Sequence, residues 1–218
     1  TDGTVPLSNF QNYVFKGKPN NGNISLLLDK SISSSNEVNR LIGNPYASAM
    51  DANEFIKDHI KATIGTNVGR NTVNVFNGAL YFWNHFGEEN SHILREYVGG
   101  YATYTLMGGA PAISNDYRIN PNGTTGTKVP TRYIPVAQGF FVNTLVEGLS
   151  GTTADVSGGT LTFANSQRIF KTEDSGASIF LKSSNTKKEV AKSEILDDRQ
   201  KIRLEFSSPK GYRRQLLI

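Results

Sequence analysis

An all-β fold, a β-sandwich or jelly-roll-like arrangement with one short amphipathic helix, is what this sequence predicts, and three observations predict it. The 218 residues include 21 Gly, 12 Phe and 9 Tyr, with many Asn, Ser and Thr, a composition that favours strands joined by turns over long helices. Short apolar–polar alternations recur along the chain. The cleanest has Ile202, Leu204 and Phe206 between Lys201, Arg203 and Glu205, as a strand with one wet face requires. A single stretch shows helical spacing, and no internal repeat supports a solenoid or propeller. A β-sandwich of this length often forms one unit, so one β-rich module over residues 1–218 is expected.

The elements follow in order. Pro19-Asn20-Asn21-Gly22 is a turn signal, and Ile24, Leu26 and Leu28 behind it alternate with Asn23, Ser25 and Leu27. A strand through Leu41 and Ile42 should end at Gly43-Asn44-Pro45-Tyr46, because Pro45 lacks a ladder donor and pushes Asn44 towards extended backbone. Ser48 followed by Asp51 resembles a capping box, and Ala52, Phe55, Ile56 and Ile60 recur at helical spacing. That predicts a helix over residues 49–61 whose apolar face covers an open end or face of the sheet. Further strands are expected at 79–83, 101–105, 139–145, 160–163, 179–181, 201–206 and 213–218. Residues 108–128, rich in Gly, Asn, Pro and Thr, and 182–200, rich in Lys, Ser and acids, read as long surface loops.

Composition narrows the function. At 37% hydrophobic and 19% charged residues the chain has the balance of a folded domain in water. It contains no cysteine, which excludes disulfides, zinc thiolates and thiol nucleophiles. No apolar run is long enough to span a bilayer, so membrane insertion is not expected. The chain opens at Thr1 and stops inside the apolar Leu216-Leu217-Ile218, so it is expected to be a piece of a larger protein. The net charge of +4 is uneven: residues 182–214 hold ten Lys or Arg against five Asp or Glu. Such a stretch attracts phosphates or acidic glycans, but interleaved acids also suit a solvated linker. Aromatics are not interleaved with these bases, which argues against nucleic acid.

Six segments resemble a family of modules found in large secreted proteins of flavobacteria and related Bacteroidetes, usually near a type IX secretion sorting domain. They are Phe15-Lys16-Gly17-Lys18-Pro19-Asn20-Asn21-Gly22, the run Leu41 to Ala49 containing Gly43-Asn44-Pro45-Tyr46, Leu80-Tyr81-Phe82-Trp83-Asn84, the run Ile134 to Val142 containing Gln138-Gly139-Phe140-Phe141, the run Leu161 to Arg168, and Gln215-Leu216-Leu217-Ile218. They occur in the family's order, with Ala47 where Pro is frequent and Val136-Ala137 where a Gly is common. The resemblance implies a secreted or cell-surface location. The partners it implies are neighbouring domains of the same polypeptide and the type IX machinery, engaged through a sorting domain not in this chain. It implies no activity. The motif residues read as scaffold: Gly43 and Gly139 for close approach or positive φ, Pro45 and Pro135 for stiffness, and Phe140, Phe141 and Trp83 for buried area.

No catalytic residue is expected. His85 and His92 bracket Glu88 and Glu89, a weak candidate metal set whose spacing matches no standard zinc pattern. Asp116 with backbone carbonyls is a candidate for a structural calcium ion; otherwise no cofactor is expected. A hydrolase has no marked nucleophile turn, and Asp51, Glu54, Glu147 and Asp155 have no context that sets one carboxylate apart. The run Gly123 to Lys128 lacks phosphate-loop spacing. The aromatic set Tyr81, Phe82, Trp83, Phe86, Tyr97, Tyr101 and Tyr104 is the best binding candidate, because exposed Tyr and Trp stack on sugar faces. Tyr97, Tyr101, Tyr104 and Trp83 are the named ligand-binding candidates, although alternation in Tyr81-Phe82-Trp83 sends at least one ring inward and Trp83 is expected to be buried. The expected function is a non-catalytic structural or adhesive module of an exported bacterial surface protein. The alternatives are a carbohydrate-binding module, with extracellular glycan as partner, and a hydrolase with an unrecognised site.

Overall fold

The computed structural model describes residues 14–30, 38–66, 68–86, 99–114, 116–118, 123–144, 156–171, 176–179 and 181, and the backbone of two strands, Arg203–Ser207 and Arg213–Leu217. The chain forms two compact units, Thr1–Ser184 and Asn185–Ile218. The fold is strand-dominated with antiparallel sheets, a β-sandwich-like all-β architecture.

Among its described residues the first unit has ten strands: β1 (Ile24–Leu28), β2 (Asn39–Gly43), β3 (Ala49–Asp51), β4 (Leu80–His85), β5 (Gly99–Thr105), β6 (Gly108–Ile113), β7 (Tyr133–Ile134), β8 (Gly139–Asn143), β9 (Gly159–Phe163) and β10 (Arg168–Ile169). They form a five-stranded sheet ordered β2-β8-β4-β5-β6, a three-stranded sheet β10-β3-β7 and the pair β1-β9. The second unit contributes the antiparallel pair β11 (Arg203–Ser207) and β12 (Arg213–Leu217), which sets Leu204 opposite Leu216 and Phe206 opposite Arg214.

One hydrophobic core joins the three sheets of the first unit. The five-stranded sheet sends Ile42, Leu80, Phe82, Tyr104, Phe140 and Val142 inward, and these meet Leu161 and Phe163 of β9 and Met50 of β3. Helix α1 (Ala52–His59) closes this core with Ala52, Phe55, Ile56 and His59, all buried. It starts where β3 stops because Asp51 keeps extended backbone, with φ −81° and ψ 107°, and caps the helix. Asp51 Oδ1 accepts from the N–H of Asn53 at 3.0 Å, satisfying one of the orphan donors of the first turn. The expected cap at Ser48 is thus corrected: Ser48 ends outside the helix and its hydroxyl accepts from Arg168 Nε at 3.2 Å. The Arg132 guanidinium grips both oxygens of Asp51 at 2.8–3.1 Å, which tethers the start of α1 to the chain just before β7.

Two expectations fail. Residues 108–113 are β6 rather than the start of a loop; the expected loop at 182–200 lies outside the described residues. Strand β6 is an edge strand with a bulge between its pairings Tyr101–Ile113 and Thr103–Ala110, and it carries Pro111 there. An edge and a bulge are where a residue without a ladder donor is tolerated. Residues 179 and 181 belong to no strand; Leu181 is buried and its N–H donates to Gln138 Oε1 at 2.9 Å.

His59 locks α1 to β9. Its Nδ1 lies 2.6 Å from the Phe55 carbonyl, and its Nε2 accepts from the Thr162 N–H at 2.7 Å, so the ring is neutral with the proton on Nδ1. Burial holds its pKa below the ordinary imidazole value, against the opposing pull of the Phe55 carbonyl and the Asp58 carboxylate. His85 is shifted the same way by burial. A folded-state pKa below the unfolded one makes the unfolded chain bind more protons, so this stability is full above about pH 6.5 and is lost as pH falls below it. The urea midpoint should drop between about pH 7 and 5, and His59→Gln should reduce that slope. A slope unchanged in His59→Gln would contradict the neutral buried ring.

Candidate functional site

Pairing register decides which side chains share the outer face of the five-stranded sheet. Tyr81 of β4 pairs with Phe141 of β8 on one side and Thr103 of β5 on the other, and Phe141 pairs with Leu41 of β2. One step along, Trp83 pairs with Tyr101, which pairs with Ile113 of β6. At the other end Asn39 of β2 stands opposite Asn143 of β8. Partners in register point to one side of a sheet, so these residues form a single surface turned away from the core.

That surface is aromatic and open. Tyr101 is 43% exposed and Trp83 36%, while Leu41 and Ile113 are more exposed still. The Trp83 and Tyr101 rings meet edge to face with centroids 5.1 Å apart, and Tyr101 and Phe141 do so at 5.7 Å. Such contacts hold the rings in place without covering them. Asn77 Nδ2 donates to the Tyr81 hydroxyl at 2.8 Å. A groove of about 260 Å³ runs between Asn39, Tyr81, Tyr101, Phe141 and Asn143. None of the paired residues of this face is Asp, Glu, Lys or Arg. Arg40 of β2 is directed elsewhere, its guanidinium donating to the Leu27 carbonyl.

Gly99 makes room for Trp83. A Cβ there would sit 2.5 Å from Trp83 Cζ2, so only glycine lets the indole lie across the neighbouring strand. Nothing in the local sequence around Gly99 announces this, because the glycine and the tryptophan are 16 positions apart in the chain and meet only through the β4–β5 pairing.

Several sequence expectations change here. Trp83 is on the outer face and exposed, not buried, because Phe82 takes the inward position beside it. Tyr104 is no stacking candidate: it is 5% exposed and its hydroxyl donates to Asn53 Oδ1 at 2.8 Å beside α1. Tyr101 and Tyr104 are three positions apart in one strand and therefore face opposite ways. Burial pushes the Tyr104 pKa up. Phe140 is buried as expected, but Phe141 belongs to the outer face. His85, one of the weak metal candidates, is buried at the end of β4. Tyr97, His92, Glu88 and Glu89 lie outside the described residues. Among the described residues no group of three His, Cys, Asp or Glu is placed to hold a metal ion. Asp116, the candidate calcium ligand, has both carboxylate oxygens bonded by Arg118, at 2.6 to 3.2 Å, which holds its pKa down at about 2.

The Gly43-Asn44-Pro45-Tyr46 and Gln138-Gly139 segments meet as scaffold. Asn44 is 4% exposed. Its Nδ2 lies within 2.8–3.2 Å of the carbonyls of Ser48, Ile134 and Pro135, and its Oδ1 accepts from the Tyr46 N–H at 3.0 Å. Gln138 is buried too, its Nε2 donating to the Gly139 carbonyl at 2.8 Å. At Gly43 a Cβ would lie 3.2 Å from the Gln138 carbonyl, the close approach expected of it. Gly139 has ordinary space and no positive φ. A family model, a domain of unknown function designated DUF8693, matches residues 4–218.

The chain belongs to the DUF8693 family. No curated protein and no solved structure matches it. In this DUF8693 chain Ala137, beside the Asn44 hub, has φ of 58°. It is the one non-glycine in the left-handed region among the described residues, where an L side chain costs about 1 kcal/mol. Ala137→Gly should raise stability by about 0.5 kcal/mol after the added freedom of the unfolded chain is subtracted. A lowered urea midpoint would show that the Ala137 methyl makes contacts worth more than the strain.

Proposed function

We propose that this chain is a non-catalytic adhesive module of an exported bacterial surface protein, and that it contacts extracellular material through the outer face of its five-stranded sheet. The observation that carries the reading is the uncharged face itself, on which Trp83 and Tyr101 are exposed while the opposite face supplies the core. A sheet face turned to water is ordinarily polar, and an exposed aromatic patch marks an interaction surface. Among the described residues the carboxylates around α1 are engaged in ion pairs: Asp51 with Arg132, and Glu54 and Asp58 with Arg70. These ion pairs serve structure, which favours a binding role over hydrolysis. Export through a type IX sorting domain outside this chain, with neighbouring domains as partners, accords with the ordered segments that resemble Bacteroidetes surface modules.

The test is retention of beads coated with the full chain on gelatin, cellulose, chitin and plant cell-wall surfaces. Wild-type beads should adhere to at least one material, Tyr104→Phe beads should adhere equally, and Trp83→Ala/Tyr101→Ala beads should wash off. Retention indifferent to the double substitution, or none on any surface, would remove the proposal.

A further inference from the structure

The geometry points to a neutral polysaccharide as the occupant of this sheet face, an inference that rests on the adhesive reading above and gives it a ligand class. Three features select the ligand. The first is the ring row of Trp83, Tyr101 and Phe141, packed edge to face on one another at 5.1 and 5.7 Å across the outer face. Pyranose units have an apolar C–H face that packs on such rings, and a chain of them meets several rings in turn.

The second is the kind of polar group in the groove. Its lining of Asn39, Tyr81, Tyr101, Phe141 and Asn143 carries carboxamides and phenols, neutral groups with more than one donor or acceptor site, which can meet hydroxyls beside the bonds they already make. The third is that, among the described residues, none of those paired on this face is Asp, Glu, Lys or Arg. An acidic polysaccharide, a phosphate or a charged peptide would be desolvated against this face without a counter-ion, and burying an unpaired charge is costly. A neutral sugar meets no such cost. A second copy of the chain is the competing occupant, and self-association is the outcome that distinguishes it.

Affinity electrophoresis of the full chain tests this, with hydroxyethylcellulose, arabinoxylan, glucomannan and laminarin as neutral probes and alginate and polygalacturonate as acidic ones. At least one neutral probe should retard the wild type, and Trp83→Ala and Tyr101→Ala should each weaken that affinity about tenfold. Tyr104→Phe should not. Unchanged urea midpoints show that the exposed-ring variants are folded, and Trp83→Phe, which keeps a ring, should retain most of the affinity. Retardation by acidic probes alone overturns the inference. So does retardation by none, and if the double variant then still abolishes bead retention on gelatin, the adhesive reading stands while the glycan assignment falls. Concentration-dependent self-association in sedimentation velocity, abolished by Trp83→Ala/Tyr101→Ala, would overturn it in favour of a second copy.

Discussion

Phe55→Ala should lower stability by about 4 kcal/mol, the middle of the range for losing a buried aromatic ring. Phe55 is fully buried at the centre of α1. Its ring lies 5.1 Å from Phe163 of β9, 5.9 Å from Phe140 of β8 and 6.1 Å from Phe76, centroid to centroid. One side chain therefore seats the helix on the five-stranded sheet and on the β1–β9 pair at once, and no neighbour can close the gap without leaving another of these contacts. A domain of ordinary stability, about 5–15 kcal/mol, would be left marginal by such a loss. Urea denaturation measures it. A change under about 1 kcal/mol would mean that α1 is not part of the core.

Asn44→Ala should cost about 3 kcal/mol, for a different reason. The substitution removes little apolar area but takes the amide away from the carbonyls of Ser48, Ile134 and Pro135, the last of which keeps the Gln138 N–H, and takes the side-chain acceptor away from the buried N–H of Tyr46. Asn44→Asp should not rescue it, since a carboxylate oxygen would replace the amide that faces three carbonyls. If Asn44→Ala left the urea midpoint unchanged but abolished retention on a polysaccharide, the Gly43-Asn44-Pro45-Tyr46 turn would be a binding site and not scaffold.

Strands with regular alternation and flanking turns were legible in the sequence. Strands β1, β2, β4, β5, β8 and β9 all fall where hydrophobic alternation or a Gly-flanked aromatic run expects them. Strands β3, β7 and β10 are two or three residues long, too short to show a period, and Gly108-Gly109-Ala110-Pro111 hides β6 behind turn-forming residues. Helical spacing predicts the helix but not where it starts, because Asp51 ends a strand and caps a helix in the same position.

The binding face was half legible. Trp83 and Tyr101 stand out as aromatic residues, but local sequence does not say which face of a strand is inner. Once Phe82 is known to be inside, parity puts Tyr81 and Trp83 outside, and the same rule separates Tyr101 from Tyr104. Asn39, Phe141 and Asn143 join the face only because β8 lies between β2 and β4, a pairing between segments distant in the chain.

Trp83 is the chain's one tryptophan, so its fluorescence reports this face alone. Acrylamide quenching of the native protein, without and with the polysaccharide that retards it most, is the direct measurement. The expected result is red-shifted emission that acrylamide quenches readily and that bound polysaccharide shields. Blue-shifted emission resistant to acrylamide in the free protein would mean the indole is enclosed, and the outer sheet face would not be the contact surface.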